Sequence, residues 1–131
     1  MYWDDLTEGT RFTTSARVIT QEDVDSFAKL SGDTNPLHLD STFTANTGYA
    51  RPIAHGLFIL SVASGLAVQA GILGEQVTAL AALEWRFREP VYANDSIYAE
   101  ITVKKLHRMP SSASGLAILT VEIINQKGSI V

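Results

Sequence analysis

The sequence predicts an α+β domain in which a curved antiparallel sheet wraps around one long apolar helix. Three observations predict it. Pro52–Gly74 contains no Asp, Glu, Lys or Arg and is dominated by Leu, Ile and Val. After Gly74 the hydrophobic period changes from helical to alternating, as in half-buried strands. Those strands are joined by turns too short for a crossover, so neighbours pair antiparallel. A sheet laid over a single apolar helix is an economical way to bury it.

Length and composition narrow the function classes. The 131 residues fit one domain, 1–131, with 46% apolar and 18% charged residues. Ten Lys and Arg against fourteen Asp and Glu argue against nucleic acid or an anionic membrane as a partner. Cysteine is absent, which removes disulfides, thiolate metal sites and a cysteine nucleophile. The acidic start Met1-Tyr2-Trp3-Asp4-Asp5 lacks the basic and apolar regions of a signal peptide, so a cytoplasmic location is expected. The apolar stretch has the length of a membrane span. Pro52, His55, Ser61, Ser64, Gln69 and three glycines interrupt it, and the expectation is a buried helix over His55–Ile72.

Taken in order, Thr10–Ile19 reads as a first strand, rich in Thr and Val. Thr20 before Gln21, Glu22 and Asp23 is a helix start; Val24, Phe27, Ala28 and Leu30 keep helical spacing, and Gly32 stops it. Gly32-Asp33-Thr34-Asn35-Pro36 is an ordered turn or loop, because proline keeps Asn35 out of the helical region. A short helical stretch follows at residues 41–47, then a loop to Pro52 and the apolar helix. Leu83, Trp85 and Phe87 alternate with Glu84, Arg86 and Arg88 as one strand, and Ile97–Val103 alternates as a second. Leu116–Ile124, after the Pro110-Ser111-Ser112 turn, is apolar on both faces, which a partner subunit would cover. A last strand after Asn125 is either very short or missing here.

Chemistry-bearing residues crowd into one window. Asp33 and His38 lie five apart across the proline turn, which can hold a carboxylate and an imidazole facing one small volume for proton work; on spacing alone, solvated turn residues are the simpler reading. His55-Gly56 opens the apolar helix. There, unpaired N–H groups and the positive helix end suit a developing oxyanion, and glycine leaves room for close approach; a glycine that only eases entry into the helix is the alternative. Ser61 and Ser64 share one helix face, but neither lies in a nucleophile elbow; at least one satisfies its hydroxyl on the preceding turn. Asp33, His38 and Asp40 make a poor metal set, and no metal or cofactor is expected. Arg86, Arg88, Lys104, Lys105 and Arg108 are candidates for coenzyme A phosphates, although charges on strands more often form a solvated face.

The stretch Phe27 to Asp40, with Gly32-Asp33-Thr34-Asn35-Pro36-Leu37-His38, followed by Arg51-Pro52-Ile53-Ala54-His55-Gly56, resembles the MaoC-like or hydratase-2 family. These are the (R)-specific enoyl-CoA hydratases and related acyl-thioester dehydratases. The resemblance covers nearly the whole chain, including Trp85–Val91. It implies a hot-dog fold assembled as a homodimer or higher homo-oligomer, and an acyl-CoA or acyl-carrier-protein thioester as substrate. It implies that Asp33 and His38 are the catalytic pair and that the Gly56 N–H binds the thioester carbonyl. Ser64 matches a serine near that pair and Asn35 an asparagine that shapes the loop. His55 matches the histidine before the glycine, with an anchoring role favoured over proton transfer. The implied reaction is (R)-specific hydration of a trans-2-enoyl thioester or the reverse dehydration, making the chain a hydro-lyase. A hot-dog thioesterase, a subunit of a heterodimeric dehydratase, a non-catalytic acyl-binding subunit and a metal-binding regulatory domain are the rival expectations.

Overall fold

The computed structural model describes residues 1–131. After a 3-10 turn at Trp3–Asp5, the elements are β1 (Arg11–Thr13), β2 (Arg17–Val18), α1 (Gln21–Ser31), α2 (Pro36–Leu39), α3 (Ser41–Thr44), α4 (Gly56–Gln69), β3 (Ser96–Arg108) and β4 (Gly115–Asn125). β3 is the spine of the sheet. It pairs antiparallel with β1 and β2 on one side and with β4 on the other, with an irregularity between Val103 and Lys105.

The first expected strand is divided because a side chain enters its ladder. The Thr14 hydroxyl accepts the Ala99 N–H while the Thr14 N–H donates to Ala99 O, so pairing continues where the strand geometry is interrupted. Helix α1 starts as its sequence dictates. Thr20 Oγ1 accepts the Asp23 N–H and the Asp23 carboxylate accepts the Thr20 N–H, a reciprocal capping box. Burial alone would raise the Asp23 pKa; hydrogen bonds from the Thr20 backbone and hydroxyl, with Arg17 nearby, together bring it below the usual aspartate value. Gly32 ends the helix at φ 81, in the left-handed region that glycine enters freely.

Helix α4 lies on the inner face of the sheet. Phe58, Ile59, Val62, Ala63, Leu66 and Ala67 pack into one core with Ile97, Ala99 and Ile101 of β3 and Ile123 of β4. The helix is shorter than expected: His55 is its N-cap, and Gly71 at φ 76 turns the chain after Gln69. It is also not buried all round. Leu57, Ser61, Ser64, Gly65 and Val68 form an exposed stripe, with Leu57 65% and Val68 55% accessible. No helix is long and apolar enough to cross a membrane.

The strand expected at Leu83–Arg88 does not form. The segment finds no ladder partner, and only one of its three alternating apolar residues turns inward. Trp85 packs against the core, while Leu83 and Phe87 stay half exposed. The Arg88 and Glu89 N–H groups donate to Val131 O, and the Val131 N–H donates to Ile123 O. With a single bridge between Ile124 and Ile130, these residues fold back on β4 after the Gly128 turn without forming a strand. The outer half of β4 leaves Leu116 and Ile118 partly exposed.

Candidate active site

Two loops meet at the N-terminus of α4. The first runs from Gly32 to His38. The Asp33 N–H donates to Ser31 Oγ, and Asp33 Oδ1 accepts the Asn35 N–H at 3.3 Å. Asn35 Oδ1 in turn accepts the Leu37 N–H and caps α2, with Pro36 at its first position. Residues 32–35 are thus the ordered loop expected, and Pro36 opens the single helical turn, α2, that carries His38. The second loop, Pro52–His55, is held by Ala54 N–H donating to Val91 O and Ile53 N–H donating to Leu37 O.

The imidazoles join these loops. His38 Nδ1 lies 2.8 Å from Ile53 O, and since a carbonyl only accepts, Nδ1 carries the hydrogen. Nε2 of His38 faces Asp33 Oδ2, 3.7 Å away. That separation is too long for a direct hydrogen bond. Each group is free to bond a third partner between them. His38 has 11% side-chain exposure and Asp33 51%, so the pair lies at the wall of an open site.

A cavity of about 280 Å³ contains this pair, with His55, Gly56, Leu57, Phe27 and Ser31 completing its wall. No side chain caps α4, and its first intrahelical bond runs from Ile59 N–H to His55 O. The N–H groups before Ile59 therefore have no partner within the helix and give its entrance a positive end. Glycine at position 56 has a packing reason as well. A Cβ there would lie 2.7 Å from the Phe87 ring, which covers the helix start.

The structure thus brings Asp33, His38, His55 and Gly56 together. Asn35 borders the site as a cap. Ser64 lines neither this cavity nor the adjoining one; it sits on the exposed stripe of α4, eight residues beyond Gly56 and about 12 Å along the axis. Ser61 donates to Leu57 O, the back-bond expected for one of the two serines. Phe27 and Phe87 complete the site without having been singled out. The spacing of Phe27 along α1 was legible, but its role as the wall shared with an adjoining cleft of about 330 Å³ depends on how α1 crosses α4. Among the basic candidates for phosphate, Lys105 pairs with Glu8 and Arg108 with Asp4.

Asp33, His38 and His55 offer ligand atoms within 4.8 Å of one another, so a metal has to be considered. The two imidazoles are stacked, with centroids 3.7 Å apart and planes 25° from parallel. Coordination needs each nitrogen lone pair aimed at the ion in its own ring plane, and nearly parallel planes do not converge on one ion. Two of the four ring nitrogens also face backbone carbonyls. The residues do not fit a shared metal.

With this geometry in view, the MaoC like domain pattern matches residues 5–122. The chain belongs to the MaoC-like family. It is 37% identical over 112 residues to the (R)-specific enoyl-CoA hydratase of Aeromonas caviae, covering 82% of this chain and 76% of that protein. The structure resembles a monoamine oxidase regulatory protein of Archaeoglobus fulgius with a TM-score of 0.91 and 32% identity, over 100% of this chain and 88% of the other. It also matches a Mycobacterium tuberculosis protein described as a double hotdog fold, with a TM-score of 0.80, 26% identity, and coverage of 99% of this chain and 41% of that one. The sheet around α4 is this MaoC-like chain's hot-dog architecture, and hydro-lyase is the class of its Aeromonas relative.

Proposed function

We propose that this MaoC-like protein hydrates trans-2-enoyl thioesters to (R)-3-hydroxyacyl thioesters, and catalyses the reverse dehydration. The observation that carries the reading is the 3.7 Å gap between His38 Nε2 and Asp33 Oδ2, both free to hold one water, beside the uncapped start of α4. Support comes from membership of the family and from the (R)-specific hydratase at 37% identity.

The chemistry follows from what an enoyl thioester requires. Water attacks Cβ only if the π electrons move through Cα to the carbonyl oxygen. The Gly56 N–H and the helix end stabilise that oxyanion as it develops. The water oxygen bonds to Cβ as one member of the Asp33–His38 pair takes a water proton, and the other, which carries the single proton the pair holds at the start, gives it to Cα, so the pair again holds one proton at the end. The two act as a coupled unit whose net proton count is restored at the end of each turnover. Asn35 supports the pair by fixing the loop.

The test is ultraviolet loss of the conjugated thioester with crotonyl-CoA, followed by chiral analysis of the product. Formation of (R)-3-hydroxybutyryl-CoA supports the reading. Release of free thiol with no hydroxyacyl product would favour the thioesterase reading instead. A second copy of the chain is the proposed cover for the exposed α4 stripe, and sedimentation should report a dimer or larger species.

A further inference from the structure

His55 is used by nothing in the reaction above, yet it is 3% exposed and contacts Asp33, His38 and Phe27. Its Nε2 lies 2.8 Å from Asp33 O, so that nitrogen carries the hydrogen and donates it to the backbone of the acidic residue. Its ring stacks on His38 at 3.7 Å and meets the Phe27 ring edge-on at 4.9 Å. Its own backbone caps α4, one residue before Gly56. His38 reaches the opposite way, from the first loop to Ile53 O in the second. The two imidazoles therefore form a reciprocal clasp, each donating to the other's loop.

We infer that His55 is a positioning residue for hydration: its Nε2–H bond to Asp33 O and its stack on His38 fix the proton-transfer pair relative to the Gly56 N–H. Nδ1 of His55 is buried and has no hydrogen-bond partner. The ring's one hydrogen bond is therefore the one to Asp33 O, and the residue acts by holding that loop. The inference rests on the proposed hydratase reading and adds the element that keeps its two halves in register. The reason such a device matters is geometric, because a displacement of about 1 Å at a reacting centre costs on the order of 10²-fold in rate.

Two substitutions separate the contacts. His55→Gln keeps an N–H that reaches toward Asp33 O and loses the ring; His55→Phe keeps the stack and loses the donor. Each should lower kcat on crotonyl-CoA by roughly 10–100-fold while KM changes less than about threefold, the split expected for misalignment without loss of substrate contact. Because His55 acts through the pair, Asp33→Asn/His55→Gln should be scarcely slower than Asp33→Asn alone. If His55→Phe does not fold, the Gln variant and the double variant still decide. Multiplicative losses in the double variant, a raised KM with unchanged kcat, or unchanged kinetics in His55→Gln would each overturn the inference. A wild-type protein without hydratase activity would instead remove the functional reading on which it rests.

Discussion

Replacing Asp33 with Asn probes the site with little disturbance to the fold. The Asn oxygen can still accept the Asn35 N–H that Oδ1 holds at 3.3 Å, so the loop keeps its turn. What changes is the atom facing His38 Nε2 across 3.7 Å, where an amide replaces a group able to exchange a proton. The side chain is 51% exposed and makes no direct hydrogen bond to His38, so stability should move by less than about 1 kcal/mol and Tm by no more than about 4 °C. Loss of one proton-transfer partner should cost about 10²–10⁴-fold in kcat, roughly 2.7–5.5 kcal/mol of transition-state stabilisation. Stopped or steady-state loss of enoyl absorbance gives the rate, and thermal melting gives the stability. A variant that melts normally and hydrates crotonyl-CoA within threefold of wild type would refute the assignment of Asp33.

Three further outcomes follow from particular contacts. Gly56→Ala should lower stability by about 1–3 kcal/mol, because its Cβ meets the Phe87 ring; Phe87→Leu should recover part of that loss in denaturant melts. Leu66→Ala, at a site 4% exposed in the core, should cost about 2–5 kcal/mol, read as a lower urea midpoint at unchanged slope. Thr20→Ala should cost about 1 kcal/mol at neutral pH by removing half of the capping box. Since the Asp23 pKa is lowered by folding, its contribution is present above the unfolded value and fades as pH falls through the folded one. The stability lost in Asp23→Ala should therefore shrink in acid below the ordinary aspartate range, and an equal loss at both pH values would contradict this account of the cap.

Local rules made part of this structure legible. Thr20, Asp23 and Gly32 marked both ends of α1 because capping is settled within a few residues. The inward set Ile97, Ala99, Ile101 and Val103 of β3 followed from alternation alone. The division of the first strand at Thr14 was hidden, since it depends on a hydroxyl meeting an amide 85 residues away. Leu83–Arg88 misled for a related reason: both pairing and burial are decided elsewhere in the chain, and here only Trp85 reaches the core. At the site, Asp33, His38, His55 and Gly56 were readable as a motif. Helical phase decided Ser64, which rotates onto the exposed stripe of α4. Phe87 lay beyond local reading, because its approach to Gly56 joins segments 31 residues apart.

Oxygen-isotope tracing reaches the core of the account most directly. Crotonyl-CoA is incubated with the wild-type protein in H2(18)O, and the label is located by fragment mass. Water delivered by Asp33 and His38 to Cβ puts heavy oxygen on C3 of the (R)-hydroxyacyl thioester, with the thioester bond intact. Heavy oxygen in a released carboxylate, with C3 unlabelled, would contradict it.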